Sequence, residues 1–258
     1  MRLMKRILSA AAVLALSASL LVGCSSGTAS SVPVSASSAA ESTVSSVEET
    51  ASSAVDENEA AAAQLLNDLT GSYQELWPVI LADEYKQTWL DDCTALVGEE
   101  NAEAAFEKLS SMVTGDVYGE DAVEAYANGG GAYFCGFTNS LATLTFDGET
   151  STISGTDKDG NVLFSHTYHY IGMEPVRGLY EFESDDADSG EFTYFFLAPD
   201  TSAETYHIEF RYGSDAEALS QYDAGEYAYW VASGISTDCD QTMIDNCIEL
   251  FCTENLAG

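Results

Sequence analysis

The chain has 258 residues, 43 of them Asp or Glu against eight Lys or Arg, for a formal net charge of −35. Phosphate recognition needs clustered Lys and Arg, so nucleic acid is excluded as a partner, and so are anionic lipid head groups. This charge suits divalent cations as well as simple solubility.

Arg2, Lys5 and Arg6 precede an uncharged apolar run from Ile7 to Val22. This is the pattern of a secretory signal peptide, with a run short of the roughly 20 apolar residues of a membrane span. The run ends in Leu21-Val22-Gly23-Cys24, which looks like a bacterial lipobox. The expectation is cleavage after residue 23 and lipidation of Cys24. The protein would then be anchored to the outer, extracytoplasmic face of the bacterial cell membrane, touching it only through the lipid. Residues 24–56 are mostly Ser, Ala, Thr, Val and Glu with no aromatic side chain. They read as a flexible tether, because they offer too little apolar surface to offset the entropy of ordering. Residues 57–258 are left as one domain.

From Glu57 to Tyr126 the apolar spacing predicts helices, including Ala105, Phe106, Leu109 and Met112 on one face. Asn128-Gly129-Gly130-Gly131 breaks the pattern and lacks the Lys-Ser/Thr of a phosphate loop. Strands follow at Leu141–Phe146, Ser151–Gly155, Val162–Ile171, Gly178–Phe182, Phe192–Leu197 and Tyr206–Tyr212, joined by short polar turns. Such spacing suggests an antiparallel barrel or sandwich. The acidic turns at 157–160 and 184–190 do not fit an EF-hand loop and read as hairpin turns. Residues Thr242 to Phe251 look helical.

Five cysteines follow Cys24: Cys93, Cys135, Cys239, Cys247 and Cys252. Export permits disulfides, and the crowding of the last three suggests a local staple. Their spacing is not that of a zinc-binding C-x-x-C pair.

The histidines are His166, His169 and His207. In a regular strand His166 and His169 point to opposite faces, whereas His207 and Glu209 share one. Imidazole plus carboxylate is the beginning of a zinc site, which normally takes three or four protein ligands. No G-x-S-x-G or H-E-x-x-H motif occurs, and no acid, base and nucleophile set stands out. The expectation is a protein that is not an enzyme.

Several segments together resemble the ZinT/YodA zinc-binding family, whose domain is also fused to zinc-uptake receptors such as AdcA. They are Leu69-Thr70-Gly71-Ser72-Tyr73-Gln74-Glu75-Leu76-Trp77-Pro78, Thr156-Asp157-Lys158-Asp159-Gly160, Tyr168-His169-Tyr170-Ile171-Gly172, Val176-Arg177-Gly178-Leu179-Tyr180-Glu181-Phe182, Asp188-Ser189-Gly190-Glu191-Phe192-Thr193-Tyr194 and His207-Ile208-Glu209-Phe210-Arg211-Tyr212-Gly213. The resemblance implies a mainly β domain with N-terminal helices and a lipocalin-like (calycin) antiparallel β-barrel. It also implies zinc held at the barrel mouth on three histidines, and service to a metal ABC transporter. Carried over by position, the ligands fall on His207, on Glu209 and on Phe195, and phenylalanine cannot bind zinc. Asp200, Glu204 or His169 would have to complete a reorganised metal site. The alternative is a lipocalin-like module that has lost its metal and binds a small ligand or a protein partner.

Overall fold

The structure is a computed structural model and describes residues 57–199 and 207–257. The expected leader, Cys24 and the tether lie outside the described residues, as do Asp200 and Glu204.

Residues 57–68 form helix α1. It lays Ala62, Leu65 and Leu66 into the barrel's hydrophobic core, with Leu69 just beyond it. Next come strand β1 (Gly71–Glu75), helix α2 (Leu76–Ile80), helix α3 (Lys86–Val97), helix α4 (Glu99–Met112) and helix α5 (Glu120–Ala127). Gly98 alone joins α3 to α4. Its φ of +87° turns the chain sharply, and a Cβ there would meet nothing within 4 Å. The demand is therefore on backbone conformation rather than on space.

The remaining strands are β2 (Thr143–Asp147), β3 (Thr152–Thr156), β4 (Val162–Met173), β5 (Tyr180–Ser184), β6 (Tyr194–Leu197), β7 (His207–Gly213) and β8 (Ala232–Ser236). Helix α6 (Ala216–Leu219) follows β7, and helix α7 (Gln241–Leu256) follows β8. The strands close an antiparallel barrel in the order β1-β2-β3-β4-β5-β6-β7-β8. An eight-stranded up-and-down barrel is the lipocalin-like, calycin architecture that the resemblance implies, and it decides for a barrel where the strand pattern left a sandwich open. Both acidic segments lie between consecutive antiparallel strands, at the β3–β4 and β5–β6 connections.

One expectation is corrected. The stretch 57–126 is not helical throughout, because β1 interrupts it and pairs with both β2 and β8. Strands β1 and β8 are the two that the sequence pattern did not reveal, and together they close the barrel.

Aromatic rings fill the barrel. Phe195 is fully buried and lies 5.9 Å from Phe164, 5.4 Å from Tyr168 and 6.3 Å from Phe210, measured between ring centroids. Eight strands enclose a space that side chains can fill, and here they do. At the edge of this core the Tyr212 hydroxyl accepts the Thr138 N–H at 2.6 Å and donates to the Thr138 carbonyl at 3.0 Å.

A second core lies outside the barrel wall. Leu76, Trp77 and Ile80 of α2, Trp89 and Cys93 of α3, Leu109 of α4, and Ile244, Ile248 and Cys252 of α7 pack with Ile235 of β8. The Trp89 indole donates to the Ile80 carbonyl at 2.7 Å, tying α3 to the end of α2. Helix α7 begins at Asp240, whose carboxylate accepts the Met243 N–H at 3.0 Å, a side-chain cap of the usual kind.

Candidate functional site

Strand β7 alternates polar and apolar side chains. Ile208, Phe210 and Tyr212 belong to the barrel core. His207, Glu209 and Arg211 therefore point out of the barrel, since successive strand residues face opposite sides. His207 pairs across the sheet with Ile235, and Glu209 with Ser233, both on β8.

Helices α2 and α7 cover this outer wall and leave two adjoining hollows. One is a cavity of about 40 Å³ bordered by His207, Glu209, Cys247 and Glu254, with Trp77 and Phe251 as its apolar sides. The other is a cleft of about 350 Å³ that also reaches Glu209, Trp77 and Phe251, and extends to Tyr133, Cys135 and Arg177. The first is the size of a water or an ion, and the second reaches the size of a small-molecule site. The rings of Trp77 and Phe251 stand edge to face, 4.7 Å apart, on this boundary.

The surroundings of the cleft are fixed by a buried polar cluster. Glu174 is almost fully buried, and its carboxylate accepts the Val176 N–H at 2.8 Å and the Arg177 N–H at 2.6 Å. The Arg177 guanidinium lies 4.2 Å from the Tyr222 ring centroid, and that of Arg211 lies 4.3 Å from the same ring. Arg211 is completely buried and donates to the backbone carbonyls of Leu219, Gln221 and Tyr227. Its Nε finds no partner, and burial lowers its pKa, opposed by the neighbouring Tyr222. Burial likewise pushes the Cys135 thiol up to about 12, with the Glu209 charge adding to the rise.

The sequence-derived ligand positions do not come together as a set. His207 and Glu209 share the outer face and border one cavity, as their two-residue spacing implies. Phe195 pairs with Tyr212 inside the barrel, on the other side of the sheet. A histidine at 195 would thus point away from the other two. His169 is on β4, separated from β7 in the barrel by β5 and β6, and its Nδ1 lies 2.8 Å from Asp185 Oδ1. His166 faces the opposite side of β4 and its Nδ1 is 2.7 Å from Asp186 Oδ2. Among the described residues, no three His, Cys, Asp or Glu side chains are placed to hold a metal ion. Described residues therefore supply an imidazole and a carboxylate, which is an incomplete zinc ligand set.

The sequence reading did not anticipate Glu254 and Cys247 at the cavity. Their signal was present, since both face the same side of α7 as Phe251 at helical spacing, but nothing local tied α7 to β7.

No family model matches the chain, and no curated protein matches it. The solved structures it is similar to include two of Zn(II)-bound proteins. One is the Zn(II)-bound ZinT-like domain of Streptococcus pneumoniae AdcA, at 16% identity and a TM-score of 0.45, over 71% of this chain and 89% of that one. The other is Zn(II)-bound AdcA from the same organism, at 14% identity and a TM-score of 0.42, over 72% of this chain and 35% of that one. The chain thus spans about a third of the longer AdcA chain it matches.

Proposed function

We propose that this chain is a lipid-anchored protein of the outer membrane face that captures a divalent cation, zinc, on the external wall of its barrel. The reading rests on one observation: His207 and Glu209 border the same small cavity as Glu254. An imidazole and a carboxylate beside an ion-sized space are donors of the kind zinc takes, and they begin a ligand set without completing it. A larger share of oxygen donors moves preference toward harder cations such as calcium. In this reading a further donor completes the ligand set, and the strongly acidic surface draws cations toward the site. Anchoring through Cys24 would keep the domain beside a metal ABC transporter that receives the ion. No catalytic chemistry is assigned.

Calorimetric titration of metal-free protein with zinc tests this. Binding at micromolar zinc is expected, weakened about tenfold or more in H207A and in E209Q. Absence of heat, or binding in the two variants equal to that of the wild type, would overturn it.

The cleft of about 350 Å³ favours a second reading, in which the metal site is lost and a small molecule or a partner's side chain occupies the outer cleft. The ring-filled interior directs any such ligand to the outer wall rather than to the barrel lumen. Native mass spectrometry of the purified full chain should then show a bound organic mass. A spectrum of the bare chain alone counts against it.

A further inference from the structure

Cys93 lies on α3 and Cys252 on α7, separated by 159 residues of chain, and both are fully buried. Their sulfurs are 3.9 Å apart. We propose that Cys93 and Cys252 are joined by a disulfide that fastens the C-terminal helix to the helical layer on the barrel wall. A bridge needs sulfurs about 2.05 Å apart on Cβ atoms about 3.8 Å apart. The two sulfurs are already in contact, on helices packed in one hydrophobic core, and the bond requires them to close the remaining gap of about 2 Å.

Position makes this contact more than ordinary thiol packing. Helix α7 is the last of the described elements, and Phe251 and Glu254, which border the cation cavity, flank Cys252 in sequence. A bridge at Cys252 holds that wall of the cavity in place. The local staple expected among Cys239, Cys247 and Cys252 is therefore not the pairing the fold favours for Cys252.

Chemically, the Cys252 thiolate attacks one sulfur of a small-molecule disulfide such as glutathione disulfide and expels one thiolate. The Cys93 thiolate then attacks the Cys252 sulfur of the mixed disulfide and expels the second. Two protein thiols lose two protons and two electrons, and the external disulfide is reduced to two thiols. Burial raises the pKa of both thiols, so few thiolates exist once α7 is packed. The packed fold therefore slows exchange at these sulfurs and shields the bridge, once formed, from reductants.

The test uses the full chain, reduced and unfolded, then refolded in a mixture of reduced and oxidised glutathione. This isolates the geometry from the protein's address and from its metal. Alkylation without reduction, digestion and mass spectrometry should yield the Cys93 and Cys252 peptides as one cross-linked species, two hydrogens lighter than their sum. Recovery of both cysteines alkylated, or of Cys252 linked to Cys239 or Cys247, would overturn the proposal. In melting experiments C93S, C252S and the double variant should all lie about 10 °C below the oxidised protein. They should match the wild type refolded with dithiothreitol, and an unchanged wild-type Tm after such reduction would also defeat it.

Discussion

Phe195 and Tyr212 face one another across β6 and β7 inside the barrel, with ring centroids 5.3 Å apart. His207 and Glu209, on the same β7 strand, face outward. A ligand set spanning positions 195, 207 and 209 would need donors on both sides of one sheet.

The first prediction follows from that geometry. F195H should not raise zinc affinity in calorimetry, because the new imidazole points into the ring stack. It should cost about 3 kcal/mol in urea unfolding, through the loss of packed aromatic surface and the burial of a polar ring. A gain in zinc affinity would show that the outward placement of His207 is wrong.

The contact between Tyr212 and Thr138 gives a second. In Y212F the Thr138 N–H loses its partner within the core while the ring remains, and the Thr138 carbonyl keeps the Leu141 N–H. Leaving a buried N–H unsatisfied costs about 1–3 kcal/mol, so the urea midpoint should fall with the slope unchanged. Stability equal to the wild type would mean that water reaches this hydroxyl.

Arg211 offers a third. R211M keeps the length and apolar stem but leaves the carbonyls of Leu219, Gln221 and Tyr227 without their donor. A loss of about 3 kcal/mol is expected. Amide hydrogen exchange should rise first between Leu219 and Tyr229, where these carbonyls sit, and not in β2 to β5. R211K should recover little of the loss, since an ammonium cannot reproduce a planar fork of donors.

Alkali supplies a fourth. Burial pushes Cys135, Cys247, Tyr73 and Tyr222 up to about 12 from ordinary values of 9.0 for the thiols and 10.0 for the phenols. Unfolding lets these groups lose protons that the folded state retains. Their contribution is therefore fully present below about pH 9 and lost as pH rises toward 12. Thermal melts should show Tm falling steadily across that window, and C135A should flatten the first part of the fall.

Much of this fold is readable from local pattern. The strands β2 to β7 alternate over a few residues between polar turns, and α4 and α7 repeat at helical spacing. The two strands that close the barrel are not readable in this way. Strand β1 is five residues long and runs directly into α2. Strand β8, Ala232-Ser233-Gly234-Ile235-Ser236, has a single β-branched apolar residue. Each forms because the other is there. At the site, the shared face of His207 and Glu209 follows from their spacing. Their outward direction is also written in the sequence, in Ile208, Phe210 and Tyr212 between and after them. What lies over them is not, because the approach of α7 to β7, like that of Cys252 to Cys93, is fixed by packing between distant segments.

The sequential strand order has a consequence for how the molecule is made. Six of the pairings, from β2 to β8, join strands close in the chain and can zip up as a growing ribbon, whereas β1 reaches β2 across helices α2 to α5. The eighth, between β1 and β8, must wait until nearly all of the chain is available. Until then the ribbon has two raw edges, each able to recruit a strand from another molecule. Helix α2, directly after β1, and helix α7, shortly after β8, lie over this seam once it is shut. They act as a latch on the one step of assembly that cannot be completed early.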